Sequence, residues 1–291
     1  MNYLGIDIGG TSTKLALLAN GRILWTAKSP TYTRPTPQQL ADAIRTAAAG
    51  RVQSADGVGL CVPGLLDRKA RRITLSVNIP SLTGLDLDGL VASAVGQHCG
   101  PVQITNDAVA TAYDIFDSRK LAGRLLVLAI GTGIGAAVLD DGQPLYVEGE
   151  SPGHIGQCDV TVEGDRPIGP DGGAGSLEGY IGAVALHQRY GGDLSKMQPA
   201  DPPVRALVRA VRICHAIYRP HHVCLAGGIG IRIEQILPQV REAIEQNLTS
   251  VARPGWQLFV GTSDFHAAAG AAKFARDHAT AGPVARKESR P

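Results

Sequence analysis

An acid, a glycine pair and a cluster of hydroxyls stand near the start of the chain, in Asp7-Ile8-Gly9-Gly10-Thr11-Ser12-Thr13-Lys14. The apolar runs on either side, residues 3–8 and 15–19, predict two strands joined by this turn. Gly9 and Gly10 carry no Cβ, so an anion or another backbone can come close. Thr11 and Thr13 add hydroxyl donors, and Lys14 adds a cation. Backbone N–H groups in such a bend can cradle phosphate. Asp7, at its base, suits a hydrated Mg²⁺. The other reading is an ordinary hairpin whose acid caps a turn. Neither a GxxxxGK[ST] loop nor a GxGxxG fingerprint is present at this place. A second glycine turn, Gly131-Thr132-Gly133-Ile134-Gly135, also follows an apolar run and adds weight to the phosphate reading.

Asp107 is the sharpest single candidate for proton chemistry. It follows a predicted strand, precedes a predicted helix, and has Asn106 beside it. A carboxylate there can accept a hydroxyl proton from a sugar or alcohol while Asn106 orients that hydroxyl. The alternative is that Asp107 caps the helix from Ala108, and position alone favours the cap. Gly227-Gly228-Ile229-Gly230 lies between a strand and a helix. It suits either the base and ribose of a nucleotide or a plain turn. Cys61 reads as core, His221-His222 as a solvated loop pair, and Arg205, Arg209 and Arg212 as the solvated face of a helix.

These residues need a scaffold, and the chain reads as α/β. Residues 3–28 form a three-stranded meander, with Asn20-Gly21 as a hairpin signal. Thr36-Pro37-Gln38-Gln39 opens a helix that runs to about residue 49. A buried strand over 57–62, a helix over 85–95, a strand over 102–105 and a helix over 108–116 follow. The order then restarts, with strands over 125–130, 136–139 and 143–147. Residues 149–175 read as a long irregular loop, of the kind that is usually functional or disordered. A helix over 204–218, a strand over 223–226, a helix over 231–247 and a small-residue helix over 265–278 complete the fold. Residues 279–291 read as a frayed tail. Two halves that each open with strand, glycine turn and strand imply an internal duplication.

Composition narrows the function classes. The 291 residues carry a net charge of +2, which gives no reason to expect nucleic acid or an anionic membrane as partner. No apolar run approaches the roughly 20 residues of a membrane span. A strand beginning at residue 3 predicts no signal peptide. Five scattered cysteines without a CxxC pair predict reduced thiols and a cytoplasmic protein.

Several stretches together resemble the ROK family of sugar kinases, in the hexokinase–actin superfamily. They are Asp7 to Thr11 with Lys14, Leu60-Cys61-Val62-Pro63-Gly64, Asn78-Ile79-Pro80, Asn106-Asp107-Ala108, Gly131 to Gly135, Leu177-Glu178-Gly179-Tyr180 and Ala226-Gly227-Gly228-Ile229. They occur in the family's order. The resemblance implies two ribonuclease-H-like lobes around a central cleft. The first lobe spans residues 1–115 and is completed by the helix over 265–278; the second spans 116–264. It further implies transfer of the γ-phosphoryl of ATP to a sugar hydroxyl, O6 of a hexose, as in a glucokinase. Asp107 is then the general base. Gly64, Asn78, Asn106, His154 and Glu178 bind sugar. Asp7, Gly9, Gly10, Thr11, Thr13, Lys14, Gly131, Thr132, Gly133, Gly227 and Gly228 bind the Mg²⁺-nucleotide. The expected partners are a small-molecule sugar and a second copy of the chain in a homodimer.

Two departures from the family pattern stand out. Gly-Glu-x-Gly-His becomes Gly153-His154-Ile155-Gly156-Gln157, so His154 replaces a sugar-contacting Glu and Gln157 a zinc-binding His. The three cysteines of Cys-x-Cys-Gly-x-x-Gly-Cys fall on Gly169, Asp171 and Ser176. No zinc is therefore expected, and Cys158 is a lone thiol in this segment. The alternatives are a polyphosphate-dependent glucokinase and a sugar-binding regulatory protein without catalysis. A helix-turn-helix repressor is disfavoured, since the fold begins at Tyr3.

Overall fold

The computed structural model describes residues 1–52, 54–96, 99–147 and 154–279. The tail expected over 279–291 lies, from residue 280 on, outside the described residues, as do residues 149–153 of the expected loop. The chain divides into two compact units, Met1–Asn106 with the chain from Ala267 onward, and Asp107–His266.

The first unit opens with the meander β1 (Asn2–Ile8), β2 (Thr13–Ala19) and β3 (Arg22–Lys28). Next come α1 (Pro37–Ala48), β4 (Gly57–Val62), the hairpin β5 (Leu65–Asp67) and β6 (Arg72–Leu75), α2 (Leu87–Val95) and β7 (Val102–Asn106). Helix α1 starts as its sequence dictates: Thr36 accepts the Gln39 N–H, and Gln39 reaches back to the Thr36 N–H.

The second unit holds α3 (Asp107–Ser118), β8 (Arg124–Ile130), β9 (Ile134–Asp140), β10 (Gln143–Pro144), α4 (Leu177–Ile181), α5 (Ala183–Tyr190) and α6 (Pro202–Tyr218). It continues through β11 (His222–Ala226), the single turn α7 (Gly227–Gly230), α8 (Leu237–Glu245) and β12 (Gln257–Val260). Helix α9 (His266–His278) then packs on the first unit.

Among the described residues each unit carries a five-stranded sheet, ordered β3-β2-β1-β4-β7 in the first and β10-β9-β8-β11-β12 in the second. In both, an antiparallel meander is extended by two parallel strands. The repeated order is the structural form of the expected duplication.

Alternation along β1 explains the layers of the first unit. Leu4, Ile6 and Ile8 share a core with Leu40 and Ile44 of α1 and Leu90 of α2. Tyr3 and Gly5 face the other way, where α9 lies. A Cβ on Gly5 would sit 1.8 Å from Ala268 O, and one on Gly59 1.8 Å from Ala271 O. The α9 backbone thus rests directly on β1 and β4, which only glycine allows. In the second unit Leu126, Leu128, Val223 and Leu225 pack with Leu207 and Val211 of α6 and Val240 and Ile244 of α8.

The structure corrects several expectations. The division expected at residue 115 falls at Asn106/Asp107, because α3 packs against β8 and β9. The helix expected over 231–247 is a 3₁₀ segment, Ile231–Ile236, followed by α8, which restarts where Pro238 lacks an N–H to continue the ladder. The strand expected over 143–147 ends at Pro144, although the Leu145 N–H still reaches Val138 O at 2.8 Å. The β5–β6 hairpin, α4, α5 and β12 were not expected. Of the histidine pair expected in a loop, His222 begins β11, and His221, half-buried in the bend before it, accepts the Arg124 N–H on Nδ1 at 2.7 Å. Arg209 and Arg212 do more than face solvent, donating to the carbonyls of Thr161 and Asn247.

The glycine contacts yield a prediction. Gly59→Val should destabilise the protein by about 3 kcal/mol, because the side chain has no room under α9. Urea unfolding measures this, and an unchanged midpoint would contradict the close approach.

Candidate functional site

In α/β sheets ligands bind at the carboxyl ends of parallel strands. In the first unit those ends belong to β1, β4 and β7, and they carry the expected residues. Asp7 pairs in register with Cys61, and Val62 with Asn106. Asp7 is buried, with the Cys61 thiol 3.6 Å from its Oδ1. Lys14 stands opposite Asp7 in the antiparallel register. Gly64 follows β4 with φ +119°, and a Cβ there would meet Leu75 O at 2.3 Å, so only glycine serves. Asn78 is exposed, in a loop braced by the Ile79 N–H to Ser76 Oγ and the Ser76 N–H to Thr83 Oγ1.

The first glycine turn closes with the Gly9 N–H on Ser12 O at 3.1 Å. Thr11 is exposed, and Gly9 and Gly10 are half-buried. Thr13 departs from its expectation as a phosphate donor. Its side chain is fully buried and its hydroxyl lies 3.1 Å from the Tyr32 hydroxyl. It is a brace, because the turn needs internal support. Tyr32 donates to Gly9 O at 2.8 Å, and the Tyr32 N–H reaches Thr11 O at 2.9 Å. Ser29 accepts the Thr13 N–H at 3.0 Å. Burial pushes the Tyr32 phenol up to about 12, against the lowering from Thr13, with the Asp7 charge raising it further. Tyr32 therefore stays protonated and keeps its donor. Sequence reasoning missed Ser29 and Tyr32, since both sit in a loop with no periodicity.

In the second unit the turn 131–135 connects β8 to β9. The Gly131 N–H bonds Gly133 O at 2.9 Å. A Cβ on Gly131 would meet nothing nearer than Gly133 O at 4.0 Å, so its backbone is open on that side. Thr132 is exposed. Ala129 pairs with Ala226, which sets the 131–135 turn and Gly227 at neighbouring strand ends. Gly227 has φ +78°, and a Cβ would clash with Ile130 O at 2.4 Å.

Asp107 is the first residue of α3, not the cap before it. Its Oδ1 accepts the Ala108 N–H at 2.8 Å. A Cβ on Gly135 would lie 3.4 Å from that Oδ1, so the carboxyl stands at the second glycine turn. Burial raises its affinity for a proton, and the N–H groups of Ala108 and Asp107 partly oppose this.

Glu178 Oε2 accepts the Ile134 N–H at 3.0 Å. Burial raises its pKa; the Ile134 bond opposes this, the Asp171 charge adds to it and His154 opposes it. His154 is exposed at the start of a 3₁₀ turn. Asp264, also unforeseen, lies with Oδ1 3.8 Å from where a Gly228 Cβ would be. Its loop is held by His266, whose Nε2 accepts the Thr262 and Ser263 N–H groups at 3.0 and 3.2 Å. That places the ring proton on Nδ1, which donates to Asp114 at 2.5 Å.

Residues 3–278 match the ROK family. The chain belongs to the ROK family. It is 25% identical over 285 residues to the N-acetyl-D-glucosamine kinase of Erwinia tasmaniensis, covering 87% of this chain and 92% of the relative. It is 27% identical over 286 residues to the glucokinase of Thermotoga maritima, covering 84% and 87%. The crystal structure of a ROK family glucokinase from Streptomyces griseus in complex with glucose and AMPPNP superposes with a TM-score of 0.75 at 22% identity, over 95% of this chain and all of the other (100%). The fold is thus the two-lobed, actin-like ROK hexokinase fold.

In this ROK chain Gln157, Gly169, Asp171 and Ser176 lie together. Gln157 Nε2 donates to Asp171 Oδ2 at 2.9 Å. A Cβ on Gly169 would collide with Ser176 Oγ, and one on Gly173 would lie 3.5 Å from Ser176 Cβ and 3.7 Å from Gln157 Oε1. Ser176 caps α4 by accepting the Gly179 N–H at 3.2 Å. Among the described residues no group of three or more His, Cys, Asp or Glu side chains is placed to hold a metal ion. No described helix is long and apolar enough to cross a membrane.

The Asp107 environment predicts a stability effect. A carboxyl whose folded pKa is raised favours the protonated fold; that contribution is complete below the unfolded pKa of about 3.9 and is lost as pH rises through the folded value. At pH 7 the half-buried, desolvated charge is therefore a cost that Asp107→Asn removes. The variant should melt higher than wild type at pH 7, with the gap closing toward pH 4. A lower melting temperature at pH 7 would contradict the desolvation.

Proposed function

We propose that the chain is an ATP-dependent hexose kinase that transfers the γ-phosphoryl group of ATP to a sugar hydroxyl, O6 of the hexose. The observation that carries this reading is the desolvated Asp107 carboxyl at the second glycine turn. Phosphoryl transfer asks a protein mainly for positioning, charge neutralisation and one base. The kinase names of the relatives and the nucleotide-bound state of the S. griseus enzyme support the same reading.

In this mechanism Asp107 takes the proton from the sugar hydroxyl as its oxygen attacks the γ-phosphorus. The bond to the bridging oxygen breaks, and ADP leaves. We assign phosphate binding to Gly9, Gly10 and Thr11 with Lys14, and to Gly131, Thr132 and Gly133. Gly227 and Gly228 receive the nucleoside. Thr13 supports the first turn through Tyr32. The carboxylate of Asp7 fits a Mg²⁺ ion held through water, which would neutralise charge on the phosphates. We assign sugar recognition to Gly64, Asn78, Asn106, His154 and Glu178. His154 brings an imidazole where relatives of this pattern have a carboxylate, so it should shift preference at the hydroxyls it meets.

A panel of glucose, other hexoses and N-acetylhexosamines, tested with ATP and with polyphosphate, examines the proposal. The expected result is phosphorylation of at least one hexose with ATP. Asp107→Asn should lose ~10²-fold or more in kcat. The acid limb of the pH profile should lie above the range of an ordinary aspartate, since burial raises the base. Transfer from polyphosphate alone would replace the nucleotide reading. Transfer by neither donor would leave a sugar-binding role.

We also propose that this chain carries no structural zinc, because such a site needs four ligands of Cys and His type. Gln157 and Asp171 are bonded to each other, Gly169 offers no ligand, and Ser176 is engaged as a cap. Metal analysis of tag-free protein should find well under one zinc per chain on the ~1 scale of such sites. Stoichiometric zinc lost on replacing Gln157 and Asp171 would overturn this.

A further inference from the structure

We infer that Glu178, beyond contacting sugar, sets the conformation of the second glycine turn and so couples acceptor binding to donor binding. This rests on the kinase reading above.

The turn 131–135 is anchored from α4 and the start of α5. Glu178 Oε2 accepts the Ile134 N–H at 3.0 Å, and the Ala183 N–H reaches Gly131 O at 3.1 Å. The two bonds grip the turn at both ends, with Gly131, Thr132 and Gly133 between them. The fit around them is close. A Cβ on Gly182 would meet Glu178 O at 2.7 Å and Thr132 O at 3.5 Å. A Cβ on Gly156 would meet Ile134 O at 3.0 Å and Glu178 Oε2 at 3.3 Å. Ser176 fixes the first turn of α4, from which the Glu178 side chain projects.

A carboxylate has two oxygens and accepts at both. Oε2 is committed to the turn, which leaves Oε1 for a sugar hydroxyl. A sugar held at Oε1 fixes the rotamer, the rotamer fixes the Ile134 N–H, and the N–H fixes the turn that is to hold phosphate. Ordering cost met by the first ligand is then spared to the second, which is positive coupling. Thermodynamic reciprocity requires the same factor in both directions. A residue that only contacts sugar would leave nucleotide binding without sugar untouched.

The test uses the whole chain and calorimetric titration of Mg²⁺-AMPPNP, with and without the hexose that the panel identifies as substrate. In wild type each ligand should tighten the other by roughly fivefold or more. Glu178→Leu fills similar space but leaves the Ile134 N–H without its acceptor. It should bind Mg²⁺-AMPPNP roughly tenfold more weakly with no sugar present, while adenosine binding stays within about twofold. Glu178→Gln keeps an acceptor for Ile134 but loses the charge. It should hold sugar-free AMPPNP affinity within about threefold and lose most of the coupling. Amide exchange at Ile134 reads the bond without any ligand, and should quicken in Glu178→Leu. Unchanged AMPPNP affinity in a folded Glu178→Leu, or unchanged exchange at Ile134, overturns the inference. If Glu178→Leu does not fold, undiminished coupling in Glu178→Gln overturns it. A wild-type chain that phosphorylates no sugar, yet shows the exchange effect, overturns the kinase reading and leaves the bond's role in the turn standing.

Discussion

A glycine turn that leaves the sheet has few ladder bonds to fix it, so something outside the sheet must hold it. In both units this constraint is met by a neighbouring segment. In the second unit Glu178 accepts the Ile134 N–H and Ala183 donates to Gly131. In the first, Tyr32 donates to Gly9 O by its hydroxyl and to Thr11 O by its N–H, and Ser29 accepts from Thr13. The sheets repeat the same strand order, yet the braces are unlike: a buried carboxylate in one, a phenol and a serine in the other. The common element is a fixed turn geometry, which suits the phosphate role proposed above because preorganised dipoles cost no reorganisation when charge arrives.

The carboxylates show that burial alone does not sort roles. Asp107 and Glu178 are both desolvated, and in both this favours the proton. Asp107 gains partial relief from N–H groups at the start of α3. Glu178 gains it from Ile134, with the charges of Asp171 and His154 acting in opposite senses. Asp7 is buried among a thiol, a lysine opposite in register and the Tyr32 phenol that its charge influences. Asp107 and Glu178 both also accept a backbone N–H, so burial and hydrogen bonding alone do not separate them; place does, with Asp107 standing at the second glycine turn and Glu178 bonded into it.

The segment over residues 154–176 is held together by small local links. Gln157, Gly169, Asp171 and Ser176 meet through an amide-to-carboxylate hydrogen bond, a glycine packed on a serine, and a helix cap. Each link is modest, on the order of 1 kcal/mol for a hydrogen bond. They act with buried Ile155, Val160 and Val162, which join the core of the second unit.

Much of this was legible in the chain alone. Apolar runs and the Asn20-Gly21 turn predicted the first meander, the capping signal at Thr36 predicted α1, and the repeated strand, glycine turn and strand predicted the duplication. Asp7, Asp107 and the glycine turns stood out because acids and paired glycines at strand ends violate the apolar pattern around them. Other features depended on residues far apart in sequence. Tyr32 at Gly9, Cys61 at Asp7, Asp264 at Gly228 and Asp114 at His266 become neighbours only when strands set their register. Thr13 read as a donor to a ligand, and tertiary contact with Tyr32 turned it inward. The boundary at Asp107 was likewise hidden, since β7 runs into α3 with no break and only the packing of α3 on β8 and β9 assigns the helix. Local patterns report what a residue must bury. Which partner it meets there is decided by the whole sheet.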